Sequence, residues 1–221
     1  MNEYKHLEIK TTRTKIKKFQ DQPGFHVTDF QQAAGFGDAN APRYWQYIFD
    51  EVSIDGLWIE MGVCTGTSIT RIAKSAPENK TVYGFDSFEG LPEAWDTGRD
   101  YYPKGTTFGT IRGELPEVPD NVVLIEGLFE DTLPSFAKEH KDPVAFIHID
   151  CDLYSSTKTT FDYLGDRIVT GTIIAFDEFF NFPNYREGEY KAFMEFLDEY
   201  EKDFELVSFI FQGIQVVVKI I

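Results

Sequence analysis

Cysteine is almost missing from this chain: Cys64 and Cys151 are the only two among 221 residues. That excludes a disulfide-built scaffold, and two buried free thiols near strand ends fit a reducing compartment. Long apolar runs are missing too, both at the N-terminus, where a secretory signal would stand, and wherever a bilayer-spanning segment would be needed. Together these absences predict a cytoplasmic protein. Positive charge is scarce, with 21 Lys and Arg against 37 Asp and Glu and a formal net charge of −16. A field of that sign repels phosphate polyanions, which excludes nucleic acid and anionic membrane as partners and leaves a small molecule. There is no internal repeat, no low-complexity tract and no Gly-x-Gly-x-x-Gly fingerprint of a dinucleotide fold.

What is present suits one large domain over 1–221, with 42% hydrophobic and 16% aromatic residues to fill its core. Residues 1–55 read as an N-terminal arm and cap helices. The arm is basic (Lys10, Arg13, Lys15, Lys17, Lys18), and the stretch 25–40 is suited to folding over a pocket mouth. Tyr44, Trp45, Tyr47, Ile48 and Phe49 then recur at helical spacing, as core packing beneath a sheet. From Leu57 onward strand and helix patterns alternate: strands over 57–61, 81–86, 122–125, 143–150 and 171–177, and helices over 66–76, 131–139, 155–167 and 186–202. Alternation of this kind builds a parallel α/β sheet with helices on both faces. Two last runs, 204–211 and 214–220, flank Gln212-Gly213 and predict an antiparallel hairpin. The stretch 91–120, rich in Gly, Pro and Tyr and carrying Trp95 and Phe108, is too long for an ordinary connection and reads as a lid-like insertion.

The chemistry gathers at strand ends, where open α/β sheets bind ligands. Leu57-Trp58-Ile59-Glu60-Met61-Gly62-Val63-Cys64-Thr65-Gly66-Thr67-Ser68 is a strand that breaks into a glycine turn and a helix. Gly62 and Gly66 let a ligand lie against backbone, while Thr65, Thr67 and Ser68 are placed to cap the helix. Glu60 on one side and amide donors on the other suit a zwitterion better than a pyrophosphate. Asp86 ends the second strand 20 residues after Gly66 (86 − 66), the distance of a ribose-binding acid. Backbone around Leu128 and Phe129 is placed to flank an adenine ring, and Glu130 to cap a helix start. His148, Asp150 and Asp152 alternate along one strand and share a face if it persists; Asp177 and Glu178 close the next. His148 reads as a hydrogen-bonded strand residue. Acids on neighbouring strand ends repel unless a cation, a proton or a set of donors sits between them, and a hard divalent ion with oxygen ligands is the simplest answer.

Five motifs in this order carry a resemblance. They are the Glu60-Met61-Gly62 turn through Gly66 and Ser68; Phe85-Asp86-Ser87-Phe88-Glu89-Gly90-Leu91-Pro92; Asp131-Thr132-Leu133-Pro134; His148-Ile149-Asp150-Cys151-Asp152-Leu153-Tyr154; and Asp177-Glu178-Phe179. The chain resembles class I S-adenosylmethionine-dependent methyltransferases and, within them, the macrocin O-methyltransferase (TylF-type) family. The resemblance implies a Rossmann-like fold with a seven-stranded, mostly parallel sheet and an antiparallel C-terminal hairpin. It implies methionine contacts from Glu60, Gly62, Thr65, Gly66 and Ser68, with Asp150 beside them. Ribose contacts would come from Asp86 with Ser87, and adenine contacts from Gly127, Leu128 and Phe129. It also implies magnesium on Asp150, Asp177 and Glu178, and at the family level a homodimer.

The implied reaction is S-adenosylmethionine-dependent O-methylation of a sugar-, macrolide- or catechol-like diol, with Asp150 or Asp152 as proton acceptor. Two departures stand out. Glu178 replaces the shorter Asp or Asn common in related enzymes, which suits ligation through a water. Gln212-Gly213-Ile214-Gln215 offers no histidine where macrolide-sugar enzymes carry basic groups. The competing readings are an NAD-dependent oxidoreductase, against which Glu60 argues, and a cofactor-binding subunit without catalysis.

Overall fold

Two strands set the architecture, β2 (Leu57–Met61) and β7 (Val144–Ile149), and every residue of both is buried. Apolar runs of this kind form the middle of a parallel sheet covered on both faces. The computed structural model describes residues 34–110, 112–210 and 213–221. The basic arm at Lys10, Arg13, Lys15, Lys17 and Lys18 lies outside the described residues, as does the first part of the 25–40 segment.

The remaining large strands are β1 (Ala34–Phe36), β3 (Val82–Asp86), β6 (Val122–Glu126), β8 (Ile173–Phe176), β9 (Phe204–Ile210) and β10 (Val216–Ile220). Their order across the sheet is β1-β9-β10-β8-β7-β2-β3-β6. The pairs β2/β3, β3/β6, β2/β7 and β7/β8 are parallel, while β10 runs antiparallel to β8 and β9. Among the described residues the sheet therefore has eight strands where the sequence predicts seven. The extra one, β1, adds parallel to β9 at the edge; at three residues it is too short to show any alternation. A separate two-stranded ribbon, β4 (Trp95–Asp96) and β5 (Tyr101–Tyr102), forms inside the lid-like insertion.

The pleat of β2 divides the interior. Leu57, Ile59 and Met61 face one cluster, in which α3 (Phe129–Glu139), α4 (Tyr154–Leu164) and α5 (Glu189–Glu199) contribute Phe136, Phe161, Phe193 and Phe196. Trp58 faces the other, with Tyr44, Trp45, Ile48 and Phe49 from α1 (Pro42–Asp50) and Ile69 and Ile72 from α2 (Thr67–Ser75). The aromatic stripe 44–49 is thus core packing, as its period predicts. No described helix is long and apolar enough to cross a membrane.

Helix boundaries differ where local chemistry intervenes. Helix α3 starts at Phe129, not at residue 131, with Leu128 as N-cap and Glu130 and Asp131 in its first turn, where acids complement the helix dipole. Helix α5 starts at Glu189 because Tyr185–Glu187 form a 3₁₀ turn and Gly188 interrupts the run. Between β2 and β7 the chain order reverses, and the crevice beyond their carboxyl ends is the switch point where such sheets bind ligands.

The larger cluster is built on packed rings, most of which meet Phe193 edge-on. Phe193 is fully buried with ring centroids of Phe161, Phe176, Phe179, Phe196 and Phe204 between 5.1 and 6.1 Å away. Phe193→Ala is expected to lower unfolding free energy by about 3–5 kcal/mol in urea titrations. A loss below about 1 kcal/mol would mean that this cluster is not the core of the fold.

Candidate active site

A cavity of about 570 Å³ opens at this switch point, a size suited to a cofactor with part of an acceptor. Its floor begins at Gly62, in the left-handed region at φ +94, where a Cβ would lie 1.8 Å from the carbonyl oxygen of Asp150. Only glycine allows β2 and the end of β7 to close that tightly. Gly66, also left-handed, is the N-cap of α2, and no side chain caps that helix. The expected capping by Thr65, Thr67 and Ser68 is not made: Thr65 and Thr67 bond each other through their hydroxyls at 3.1 Å. Gly62, Thr65 and Ser68 line the cavity, whereas Gly66 lies behind it, against Pro116.

Asp86 ends β3 and lines the same wall. Its Oδ2 accepts from the backbone N–H of Val63 (2.8 Å) and Cys64 (2.9 Å), and its Oδ1 from Phe88 (2.8 Å). The carboxylate therefore braces the glycine turn, with lone pairs left over for a ligand diol. Ser87, Gly127, Leu128 and Phe129 line the cavity as well.

Glu60 departs from its sequence reading. It is fully buried and absent from the cavity wall, its Oε1 2.8 Å from Nδ1 of His148, while its Oε2 has no hydrogen-bond partner. The cause is register: Glu60 on β2 pairs directly with His148 on β7, so both side chains leave the same face side by side. Burial pushes the Glu60 carboxyl upward, opposed by His148. Burial alone would push His148 down, but the Glu60 bond and the charges of Asp150, Glu60 and Asp177 hold it at about 9. The pair thus keeps a proton through neutral pH. His148, hydrogen-bonded as expected, forms part of the wall, with its ring edge-on to Trp45 at 5.2 Å.

Asp150, Asp152, Asp177 and Glu178 all reach the cavity. Carboxylate oxygens of Asp150, Asp177 and Glu178 lie within 4.8 Å of one another. Burial, then Asp177, pushes the carboxyls of Asp150 and Glu178 well above the usual range. Oε2 of Glu178 is buried without a partner. Three hard oxygen donors with an orphaned lone pair are the donor set of a divalent cation, so these residues fit one. The strand ends at Ile149, and Asp152 sits in the left-handed region at φ +65, so the expected alternation from His148 stops before it. Burial, then Asp177 and Asp86, raises Asp152 to about 7.

The insertion closes the opposite wall. Trp95 stacks on Tyr102 at 5.1 Å, Phe108 meets both rings, and all three line the cavity. The insertion is tied down by Ser155 Oγ donating to Glu93 (2.6 Å), Asn184 Nδ2 to the Asp96 carbonyl (3.0 Å) and an Arg99 guanidinium nitrogen to the Asn181 carbonyl (3.1 Å). Cys64 and Cys151 both line the cavity as free thiols.

Four side chains escape the sequence reading. Tyr44 and Trp45, read as core, also face the cavity. Among the described residues Arg71 is the one Lys or Arg on the wall; its guanidinium lies 5.2 Å over the Trp45 ring and forms no ion pair with any of them. Its signal was available, because Arg71 lies one helical turn beyond Ser68 on the same face. Glu189, the fully buried first residue of α5, gave none.

The sequence model of the macrocin O-methyltransferase (TylF) family matches residues 45–199, more than half of the chain. The chain belongs to that family. Demethyldecarbamoylnovobiocin O-methyltransferase of Streptomyces niveus is 27% identical over 139 residues, which cover 55% of this chain and 51% of that protein. The match thus spans about half the length of this curated relative. Among solved structures, the calicheamicin methyltransferase CalS11 superposes with a TM-score of 0.64 at 21% identity, over 96% of this chain and 92% of its own. The O-methyltransferase NovP follows at a TM-score of 0.58 and 20% identity, covering 97% and 98%. Both share the fold of this TylF-family chain.

Asp152 makes a test of the site electrostatics. Its raised pKa means that its contribution to stability is complete below its unfolded value near 4 and is lost as pH rises through about 7. In EDTA, Asp152→Asn is expected to gain on the wild type by on the order of 2 kcal/mol between pH 5 and pH 8, since the cavity is solvent-lined. A pH-independent difference between the two in urea titrations would contradict the shift.

Proposed function

We propose that this protein is an S-adenosylmethionine-dependent O-methyltransferase whose acceptor is a sugar-type vicinal diol and whose site includes one divalent cation, magnesium being the hard ion that suits the donors. One observation carries the reading: the glycine turn with Asp86 and the Asp150, Asp177 and Glu178 acids open into a single cavity at the switch point of the sheet. Family membership supports the reaction class. The acceptor class draws on CalS11, which is a TDP-rhamnose 3′-O-methyltransferase. It also draws on the Trp95, Tyr102 and Phe108 rings, which offer flat apolar faces to a sugar. Two free cysteines support a cytoplasmic setting.

S-adenosylmethionine supplies an electrophilic methyl group on a sulfonium centre. Asp150, Asp177 and Glu178 would hold the cation, which supplies positive charge beside the acceptor oxygen. The chain's own work is mostly positioning. Gly62 and the turn after it give a ligand access to main chain, Asp86 with Ser87 beside it meets the ribose hydroxyls, and Gly127, Leu128 and Phe129 flank the base. Arg71, steadied over Trp45, takes the carboxylate of the methionine moiety. Asp152, with a pKa near the working pH, takes the acceptor proton, and Asp150 is the second candidate. The insertion's aromatic rings exclude water from the reacting groups. Glu60 acts indirectly, by holding His148 in the wall.

Titration calorimetry is expected to show binding of S-adenosylhomocysteine and none of NAD; tight NAD binding without a response to the nucleoside would overturn the assignment. In a labelled-methyl assay over nucleoside diphosphate sugars and catechols, transfer should disappear in EDTA and return with Mg²⁺. Asp150→Ala should lower kcat by about a hundredfold or more. Transfer that survives both treatments unchanged would remove the cation from the site. Arg71→Ala is expected to weaken S-adenosylhomocysteine by about tenfold while leaving 5′-methylthioadenosine, which lacks the carboxylate, unaffected. An equal loss for both ligands would place Arg71 elsewhere.

A further inference from the structure

Behind the acid triad lies a further carboxylate that the proposed chemistry does not use. Glu189 opens α5 and is fully buried. Its Oε2 accepts a hydrogen bond from the backbone N–H of Glu178 at 3.1 Å, and its Oε1 has no partner. No Lys, Arg or His among the described residues forms an ion pair with it. It stands outside the group of oxygens that lie within 4.8 Å of one another, so it is not placed as a direct ligand.

Two orphaned oxygens therefore occupy the same buried region, Oε2 of Glu178 and Oε1 of Glu189. Burying carboxylates without partners is strongly unfavourable, and a fold that accumulates them beside one another is built around positive charge. Glu189 also has a mechanical hold on the triad, because the peptide it grips is that of Glu178, next to Asp177. The start of α5 lies beside the main chain of Asp152: a Cβ at Gly188 would be in ordinary contact with the Asp152 carbonyl oxygen, at 3.8 Å.

We propose that Glu189 is a positioning residue of the divalent-cation site: through the Glu178 N–H it sets the direction in which Asp177 and Glu178 face, and it adds a second layer of negative charge behind them. Such outer partners fix ligand orientation and strengthen binding without touching the ion. The inference rests on the cation reading given above and adds to it a residue that neither the motifs nor the wall of the cavity contains.

The test uses the full chain and Mn²⁺ as the spin-active probe, with free Mn²⁺ followed by electron paramagnetic resonance. S-adenosylhomocysteine affinity is measured in parallel as the control for an intact cavity. Glu189→Ala removes both grip and charge and is expected to weaken Mn²⁺ by about tenfold or more, with S-adenosylhomocysteine binding within about twofold of wild type. Glu189→Gln keeps an oxygen for the Glu178 N–H and loses only the charge, so its loss should be smaller, about threefold. If the alanine variant does not fold, the glutamine variant decides. Wild-type Mn²⁺ affinity in a variant that still binds the nucleoside overturns the role of Glu189 and leaves the cation site standing. A wild-type protein that binds no Mn²⁺ overturns both.

Discussion

The site depends on one close approach of main chain to main chain. The Asp150 N–H donates to the Met61 carbonyl at 2.9 Å, and the Asp150 carbonyl lies where a side chain at position 62 would begin. That contact joins the end of β2 to the end of β7, and with them the two halves of the cavity. It propagates further, since Ile149 accepts from the Asp177 N–H and so fixes the next pair of acids. A methyl group at residue 62 would push against a carbonyl, which cannot yield as a flexible side chain can. The glycine that the sequence reading reserves for a ligand first makes room for the protein itself.

Much of the fold was legible because it is written in periods. The buried runs at 57–61 and 143–150 and the aromatic stripe at 44–49 mark their own elements, and the neighbouring positions of β7 and β8 follow from chain order alone. What stayed hidden depends on contacts between distant segments. β1 is held by β9 and is too short to carry a pattern. The partnership of Glu60 with His148 needs the register of β2 on β7, which composition does not specify. Asp152 leaves its strand because the backbone turns left-handed there, and nothing in His148-Ile149-Asp150-Cys151-Asp152 announces that turn. Glu189 is an ordinary helix-start acid until Gly188 and the 3₁₀ turn before it carry it inward.

The acids of the cavity divide by how they are satisfied. Asp86 accepts three backbone N–H bonds, so its charge is compensated within the fold and it serves as a brace. Glu60 shares a proton with the histidine beside it, although its second oxygen has no donor. Glu178 and Glu189 have less: Glu189 accepts one backbone N–H, neither has a basic partner in an ion pair, and each keeps a buried oxygen without a donor. Composition treats these residues alike, and the strand-end rule groups most of them together. Hydrogen-bond accounting separates the acids that hold the protein together from those whose compensation must come from a ligand.

Among the described residues the wall is lopsided in charge, five carboxylates against Arg71 and the His148 of a buried pair, and this bears on turnover. A sulfonium donor carries a positive charge that these carboxylates attract, and methyl transfer erases it. In the proposed function the spent nucleoside would lose that attraction, while Arg71 would meet the same carboxylate on both. An arrangement of charge that collects such a donor would also help to let its product go.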